Sequence, residues 1–281
     1  MVVNTNNTVS LTKENYYEDI SYLSTSRFKG YISCPLSQYA IDLGLIQPSM
    51  TKQAFIVGNY IHSYFESQEA HKKFVEENHK QLISSCGPTR GQLKSPFKHA
   101  KVMIESLERE ELFNHLYSGD KDDILEKEHI VTGSLHGIPF KGKIDSVNFS
   151  GGYFVDLKTM KSIQDEIYSP TLRKYTKQVI YDVIERKYHL QMYIYQQLLL
   201  QELGYELTPY IVAVSKEPVP DKEIILIDEP ILEAGKQIFE SHIHDIKAIL
   251  EGNTIPTGCG HCDYCLSNKH LTGFITLDQL I

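Results

Sequence analysis

The chain has 281 residues, 41% of them hydrophobic and 23% charged, a composition that suits a globular protein able to bury its core without disulfide staples. No apolar stretch is long enough to span a bilayer, and a formal net charge of −8 argues against a protein that coats nucleic acid through overall basicity. The polar start, Met1 to Asn7, has no basic segment followed by an apolar run, so a cytoplasmic, reducing setting is expected, with the five cysteines as thiols or metal ligands.

Residues 1–20 read as a polar, loosely ordered lead-in. Ser24, Thr25 and Ser26 offer helix caps, and Pro35 soon interrupts the helix they would open. Residues 54–67 read as a helix with Ala54, Val57, Ile61 and Phe65 on one face and Gly58 and His62 on a neighbouring one. Ser95-Pro96 opens another helix, ending before Gly119. Three stretches, 124–131, 138–149 and 153–158, are rich in β-formers and broken by glycines. A long helix is expected from about residue 181 to 204, then strands at 210–215 and 223–227, then a helix from Asp228 to about Gly252. Helices flanking a central mixed sheet define an α/β class. Residues 1–258 are expected to form one domain, with 259–281 as a cysteine-rich knot and tail packed on it.

The second and third strands form a hairpin around Ser150-Gly151-Gly152. A Ser150-Gly151 loop sets Val147 opposite Phe154 and Asp145 opposite Asp156; a Gly151-Gly152 loop would instead set Asp145 opposite Lys158. Carboxylates directly opposed on one sheet face repel, so the first register needs a reason, and a shared divalent cation such as magnesium supplies one. Lys158, two residues beyond Asp156, points to the same face and can orient water or steady phosphate charge. On this reading that face is exposed, while Tyr153, Val155 and Leu157 point into the core. A surface ion pair is the simpler account of Asp156-Leu157-Lys158 taken alone.

Downstream, Arg173, Lys174, Lys177, Arg186 and Lys187 are interleaved with Tyr175 and Tyr181, a pattern that suits either DNA backbone contact with base stacking or a solvated surface. At the end of the chain, Cys259, Cys262 and Cys265 stand at two-residue gaps, a density suited to zinc or an iron–sulfur cluster. A fourth ligand is required, with Cys34 the first candidate and His261 the second. Cys86 reads as a bystander.

The ordered set Gly58-x-x-x-His62, Gly142-x-x-Asp145, Asp156-Leu157-Lys158-Thr159 and Gln191-x-x-x-Tyr195 resembles the RecB-like branch of the PD-(D/E)xK nucleases, with Ile144 in place of the nominal proline. The resemblance spans residues 58–195. It implies a restriction-endonuclease-like core in which Asp145, Asp156 and the Leu157 carbonyl bind Mg2+ or Mn2+, His62 adds or orients a ligand, and Lys158 serves catalysis. It further implies that Gln191 and Tyr195 line the site, and that an acidic residue on the preceding strand assists; Glu128 and Glu126 compete for that role. Some RecB-like nucleases, including those of CRISPR adaptation, join one early cysteine to a late cluster around a 4Fe–4S centre. Asn268 departs from their late spacing, which keeps zinc open.

Motif order and the Asp145–Asp156 spacing most resemble the nuclease domain of exodeoxyribonuclease VIII and its phage relatives. That resemblance implies 5′-to-3′ degradation of linear double-stranded DNA, a homo-oligomer, and work beside a single-strand annealing protein in phage recombination. No membrane partner is expected. An iron–sulfur nuclease acting on single strands or ends, and a non-catalytic metal-stapled interaction protein, are the alternatives.

Overall fold

A computed structural model describes residues 11–13, 15–47, 52–271 and 273–276. Residues 1–10 and 14 of the expected lead-in, and 272 and 277–281 of the expected tail, lie outside the described residues. The elements begin with β1 (Leu23–Ser24), α1 (Thr25–Ser33), α2 (Pro35–Asp42), α3 (Lys52–Glu66), α4 (Gln68–Glu77), α5 (His79–Leu82), α6 (Ser95–Glu108) and α7 (Glu111–Ser118). The chain then runs through β2 (Leu125–Leu135), β3 (Ile138–Asn148), β4 (Tyr153–Met160), β5 (Glu166–Ser169), β6 (Lys174–Lys177), α8 (Gln178–Glu185) and α9 (Tyr188–Leu203). Last come β7 (Thr208–Ser215), β8 (Lys222–Leu226), α10 (Glu229–Leu250) and α11 (Asp263–Ser267).

The main sheet runs β1-β3-β4-β7-β8, with β2 on the other edge of β3, while β5 and β6 form a separate two-stranded hairpin. Parallel pairing of β4 with β7 requires a crossover, which α8 and α9 supply. Two apolar cores cover the two faces. Phe154 and Ile211 pack with Phe28 and Tyr31 of α1, Leu190, Met192, Ile194 and Leu198 of α9, and Phe239 and Ile243 of α10. Val155, Leu157, Val212 and Val214 pack with Ile61 of α3, Met103 and Ile104 of α6, and Phe113 of α7. The alternation along β4 feeds both layers, as a strand period of two dictates.

Ser24 caps α1 by accepting the Arg27 N–H at 3.4 Å, and α2 starts on Pro35. Two expected helices are each interrupted. The segment from Ser95 divides into α6 and α7 because Glu110 takes an extended conformation. The segment expected over 181–204 starts earlier and divides into α8 and α9 at Lys187, which sits in the left-handed region with φ 54°. His189 Nδ1 meets the Val183 carbonyl at 2.6 Å across that corner, holding the two helices at a fixed bend.

The hairpin adopts the Ser150-Gly151 register, with Ser146 opposite Val155, Val147 opposite Phe154 and Asn148 opposite Tyr153. The turn is longer than two residues: Gly152 N–H reaches the Asn148 carbonyl at 3.0 Å, and Gly151 N–H reaches Asn148 Oδ1 at 2.7 Å.

A candidate active site where the sheet parts

The site follows from a local failure of strand pairing. One edge of β3 is paired with β1 at Phe140 and Lys141 and with β4 from Ser146 onward, and the stretch between carries no partner. On the other edge the β2 ladder is regular except at one step: Lys127 faces Ser146 and His129 faces Ile144, while Glu128, between them, has φ 54°. Asp145 therefore stands opposite Glu128 on one side and Asp156 on the other, at the point where β3 releases both neighbours. Its carboxylate substitutes for the missing backbone pairing, with Oδ2 accepting the Leu157 N–H at 2.6 Å.

Each side chain comes from a different element. His62 on α3 puts Nδ1 3.1 Å from Asp145 Oδ1. His62, Glu128 and Asp145 each offer a ligand atom, all within 4.8 Å of one another. Asp156 belongs to a second group: Gln191 Nε2 donates to its Oδ1 at 2.9 Å and to the Tyr195 hydroxyl at 3.1 Å. Lys158 Nζ pairs with the buried Asp156 Oδ2 at 2.5 Å. Lys29 on α1 approaches Gln191 Oε1 at 3.5 Å, and Lys29 and Lys158 both sit near the Tyr188 ring. These groups line a cleft of about 650 Å3.

The face expected to be exposed is instead covered, since Asp145 and Asp156 are only 7% and 2% exposed. The helices α1, α3 and α9 close over the carboxylates. Burial raises the Asp156 and Glu128 carboxyls; Asp145 raises both further, and Lys158 and Lys143 respectively oppose this. Burial would raise Asp145 too, but His62, Lys158 and the Leu157 N–H outweigh it and leave it low. Burial would lower the His62 imidazole, but Asp145 overrides this and holds it above its ordinary value. Burial of three mutually repelling carboxylates is costly without a cation between them. The oxygen- and imidazole-rich donor set fits a hard divalent ion.

Glu128, not Glu126, faces the site; Glu126 pairs with His129 at 2.7 Å. Lys143 and Lys29, which line the cleft, and Lys127 beside Tyr117 were not singled out from the sequence. Lys143 pairs with Glu128 at 2.5 Å, and its place two residues before Asp145 on one strand is a usable signal. Lys127 rests 3.4 Å over the Tyr117 ring, and burial brings it down to about 7. Lys29 arrives from a helix remote in sequence, where nothing local marks it. Arg173, Lys174 and Lys177 sit on or beside the β5–β6 hairpin with exposed Tyr168 and Tyr175, outside the residues lining the cleft.

The cysteines assemble as a second centre. Cys34, Cys259, Cys262 and Cys265 place their sulfurs within 4.8 Å of one another. His261 is not among them; its Nδ1 meets the Cys259 carbonyl at 2.9 Å. Cys86 is exposed and outside the cluster.

A mixed sheet between two helical layers, parted at a carboxylate pair followed by a lysine, defines a PD-(D/E)xK nuclease domain. The chain belongs to the family described as a PDDEXK-like domain of unknown function (DUF3799), which matches residues 24–268 and so runs through all four clustered cysteines. It is similar to a crystal structure from Eubacterium rectale named "Putative exonuclease", with 29% identity, a TM-score of 0.82, and coverage of 97% of this chain and 98% of that one. The structure of SSO0001 overlaps at 13% identity and a TM-score of 0.30, covering 78% of this chain and 95% of that one. No curated protein matches. Among the described residues no helix is long and apolar enough to cross a membrane.

Proposed function

We propose that this nuclease domain is a divalent-metal-dependent exodeoxyribonuclease that degrades linear double-stranded DNA. The observation that carries the proposal is the parted sheet, where Asp145 faces both Glu128 and Asp156 with His62 and Lys158 alongside. His62, Glu128, Asp145, Asp156 and the Leu157 carbonyl would hold Mg2+ or Mn2+. In a strand, a residue's N–H and C=O leave on the same edge, so the Leu157 carbonyl shares the edge on which its N–H meets Asp145. When bound, the ion supplies Lewis acidity toward water and the scissile phosphate.

The chain's own residues do the positioning. Gln191 fixes the Asp156 carboxylate and is itself oriented by Tyr195 and Lys29. Asp156, and after it Tyr188 and Asp145, keep Lys158 protonated against the cost of burial, so its ammonium remains available to phosphate charge. Arg173, Lys174 and Lys177 contact DNA outside the cleft, with Tyr168 and Tyr175 as stacking surfaces. The exonuclease mode draws support from the name of the Eubacterium rectale neighbour. The 5′-to-3′ direction, the oligomer, the annealing partner and the phage recombination setting rest on the resemblance to exodeoxyribonuclease VIII alone. The four cysteines bind a metal of their own. The complete set of Asp145, Asp156, Lys158 and Gln191 speaks against a decayed site.

Asp145→Asn, Asp156→Asn and Lys158→Ala should each lower cleavage by roughly 10³-fold or more, and a double variant should be little worse than a single one, because the groups act as a unit. DNA binding should change little. Substantial magnesium-dependent cleavage by purified Asp156→Asn protein would refute the assignment.

A further inference from the structure

We propose that Cys34, Cys259, Cys262 and Cys265 hold a single tetrahedral ion, with zinc the expected occupant, and not a 4Fe–4S cluster. This rests on the reading of these cysteines as a metal centre and is independent of the nuclease reading. The distances favour the single ion. Thiolates about 2.3 Å from one tetrahedral ion stand roughly 3.8 Å apart. Cys34 and Cys265 have their sulfurs 3.6 Å apart, and all four sulfurs lie within 4.8 Å of one another. In a 4Fe–4S cluster each thiolate sits on a different iron, at a different corner of a cube of eight atoms. Four sulfurs packed this closely leave no room for that cube.

The surrounding chain is built for the compact arrangement. Cys34 lies between two helices in extended conformation, with its N–H on the Gly30 carbonyl at 2.9 Å, so its buried side chain turns away from both helix axes. Leu36 N–H donates to the Thr257 carbonyl at 3.0 Å, docking the C-terminal segment against the start of α2. A Cβ at Gly258 would lie 2.8 Å from the Cys265 sulfur, so glycine lets this segment pass close to it. Gly260 has φ +80°, which closes the turn from Cys259 to Cys262 and aims the Cys262 N–H at the Cys259 sulfur, 3.3 Å away. The Cys259 N–H in turn reaches the Cys34 sulfur at 3.4 Å, across 225 residues of sequence. Cys262 then caps α11, which carries Cys265. Such N–H groups neutralise part of the charge that four thiolates place on one divalent ion.

The ion is a redox-inert clamp on the C-terminal end of α1. That helix carries Lys29 to Gln191 in the cleft, so the clamp holds one wall of the active site from behind.

The test uses full-length protein purified without oxygen and without added metal. Metal content, acid-labile sulfide and visible absorbance are measured on the same sample. The expected result is one zinc per chain, no acid-labile sulfide and a colourless solution. Stepwise modification of the thiols in the folded protein should release that zinc only as these four cysteines react. Iron accompanied by comparable acid-labile sulfide, with a brown colour, overturns the single-ion proposal while leaving a metal centre in place. Metal-free protein, whether with four free thiols or with a disulfide, overturns both. Variants that fail to fold are not needed, because every measurement is made on the unaltered chain.

Discussion

At the scale of single residues, His62 and Lys29 give the sharpest consequences. His62 touches Asp145 directly, at 3.1 Å, and belongs to the compact triplet with Glu128. We expect His62→Ala to lower activity roughly 10- to 100-fold by weakening metal occupancy, with partial recovery at higher magnesium or with manganese. A wild-type rate with unchanged metal dependence would make His62 a structural residue. Lys29 has a different signature. Burial, and after it the neighbouring Lys158, bring its ammonium down to about 7 from an ordinary 10.5. The folded-state value lies below the unfolded one, so between these limits the unfolded chain binds more protons and this site's contribution to stability rises with pH. Below that window the folded protein bears the full cost of a buried charge. Lys29→Met should therefore stabilise the metal-free protein by on the order of 2 kcal/mol near pH 6, and the gain should fade toward pH 10. Denaturant midpoints at the two pH values check this, and a gain that does not vary with pH contradicts it. Period-two counting offered two registers for Asp145, opposite Asp156 or opposite Lys158, and the structure adopts the first. No such count reaches Lys29, whose place depends on how α1 docks against α9.

At the scale of elements, close approach of backbones explains positions that periodicity does not. Gly235 of α10 packs so tightly on α9 that a Cβ there would lie 2.6 Å from the His189 carbonyl oxygen, a backbone atom that cannot swing aside. Gly235→Ala should destabilise the fold by about 1–3 kcal/mol and, by displacing α9, disturb Gln191 and Tyr195 as well. Gly58 of α3, one turn before His62, is the opposite case, because a Cβ there meets nothing within 4 Å. Gly58→Ala should stabilise the free protein by about 0.5–1 kcal/mol, as expected for an unconstrained helical glycine. A loss of stability at Gly58 or none at Gly235 in thermal unfolding would contradict this packing. The limits of β2, β3 and β4 were legible to within a few residues because each is rich in β-formers and bounded by turn residues. The helix breaks at Glu110 and Lys187 were not, because apolar spacing continues across both; each helix ends on backbone conformation, extended at Glu110 and left-handed at Lys187. The burial of the face that carries Asp145 and Asp156 was missed for a related reason: a carboxylate looks solvent-facing in a pattern of apolar and polar residues, yet here helices from both layers close over it.

At the scale of the whole molecule, the fold brings residues from α1, α3, β2, β3, β4 and α9 to one parted seam of the sheet, and those elements come from almost two hundred residues of chain. The motif order made that convergence legible, since His62, Asp145, Asp156, Lys158 and Gln191 all appear in sequence order before any contact is known. The central claim is that this seam hydrolyses DNA from its ends with the help of a divalent ion. The most direct test is digestion of end-labelled linear duplex and of covalently closed circular DNA of the same sequence, with magnesium and with a chelator, using wild type and Asp156→Asn side by side. The expected outcome is progressive loss of the linear substrate with magnesium, an intact circle, and no cleavage with chelator or with Asp156→Asn. Cleavage of the circle at a rate comparable to the linear form would contradict the exonuclease assignment, and cleavage of linear DNA unchanged by chelator or by Asp156→Asn would contradict the site itself.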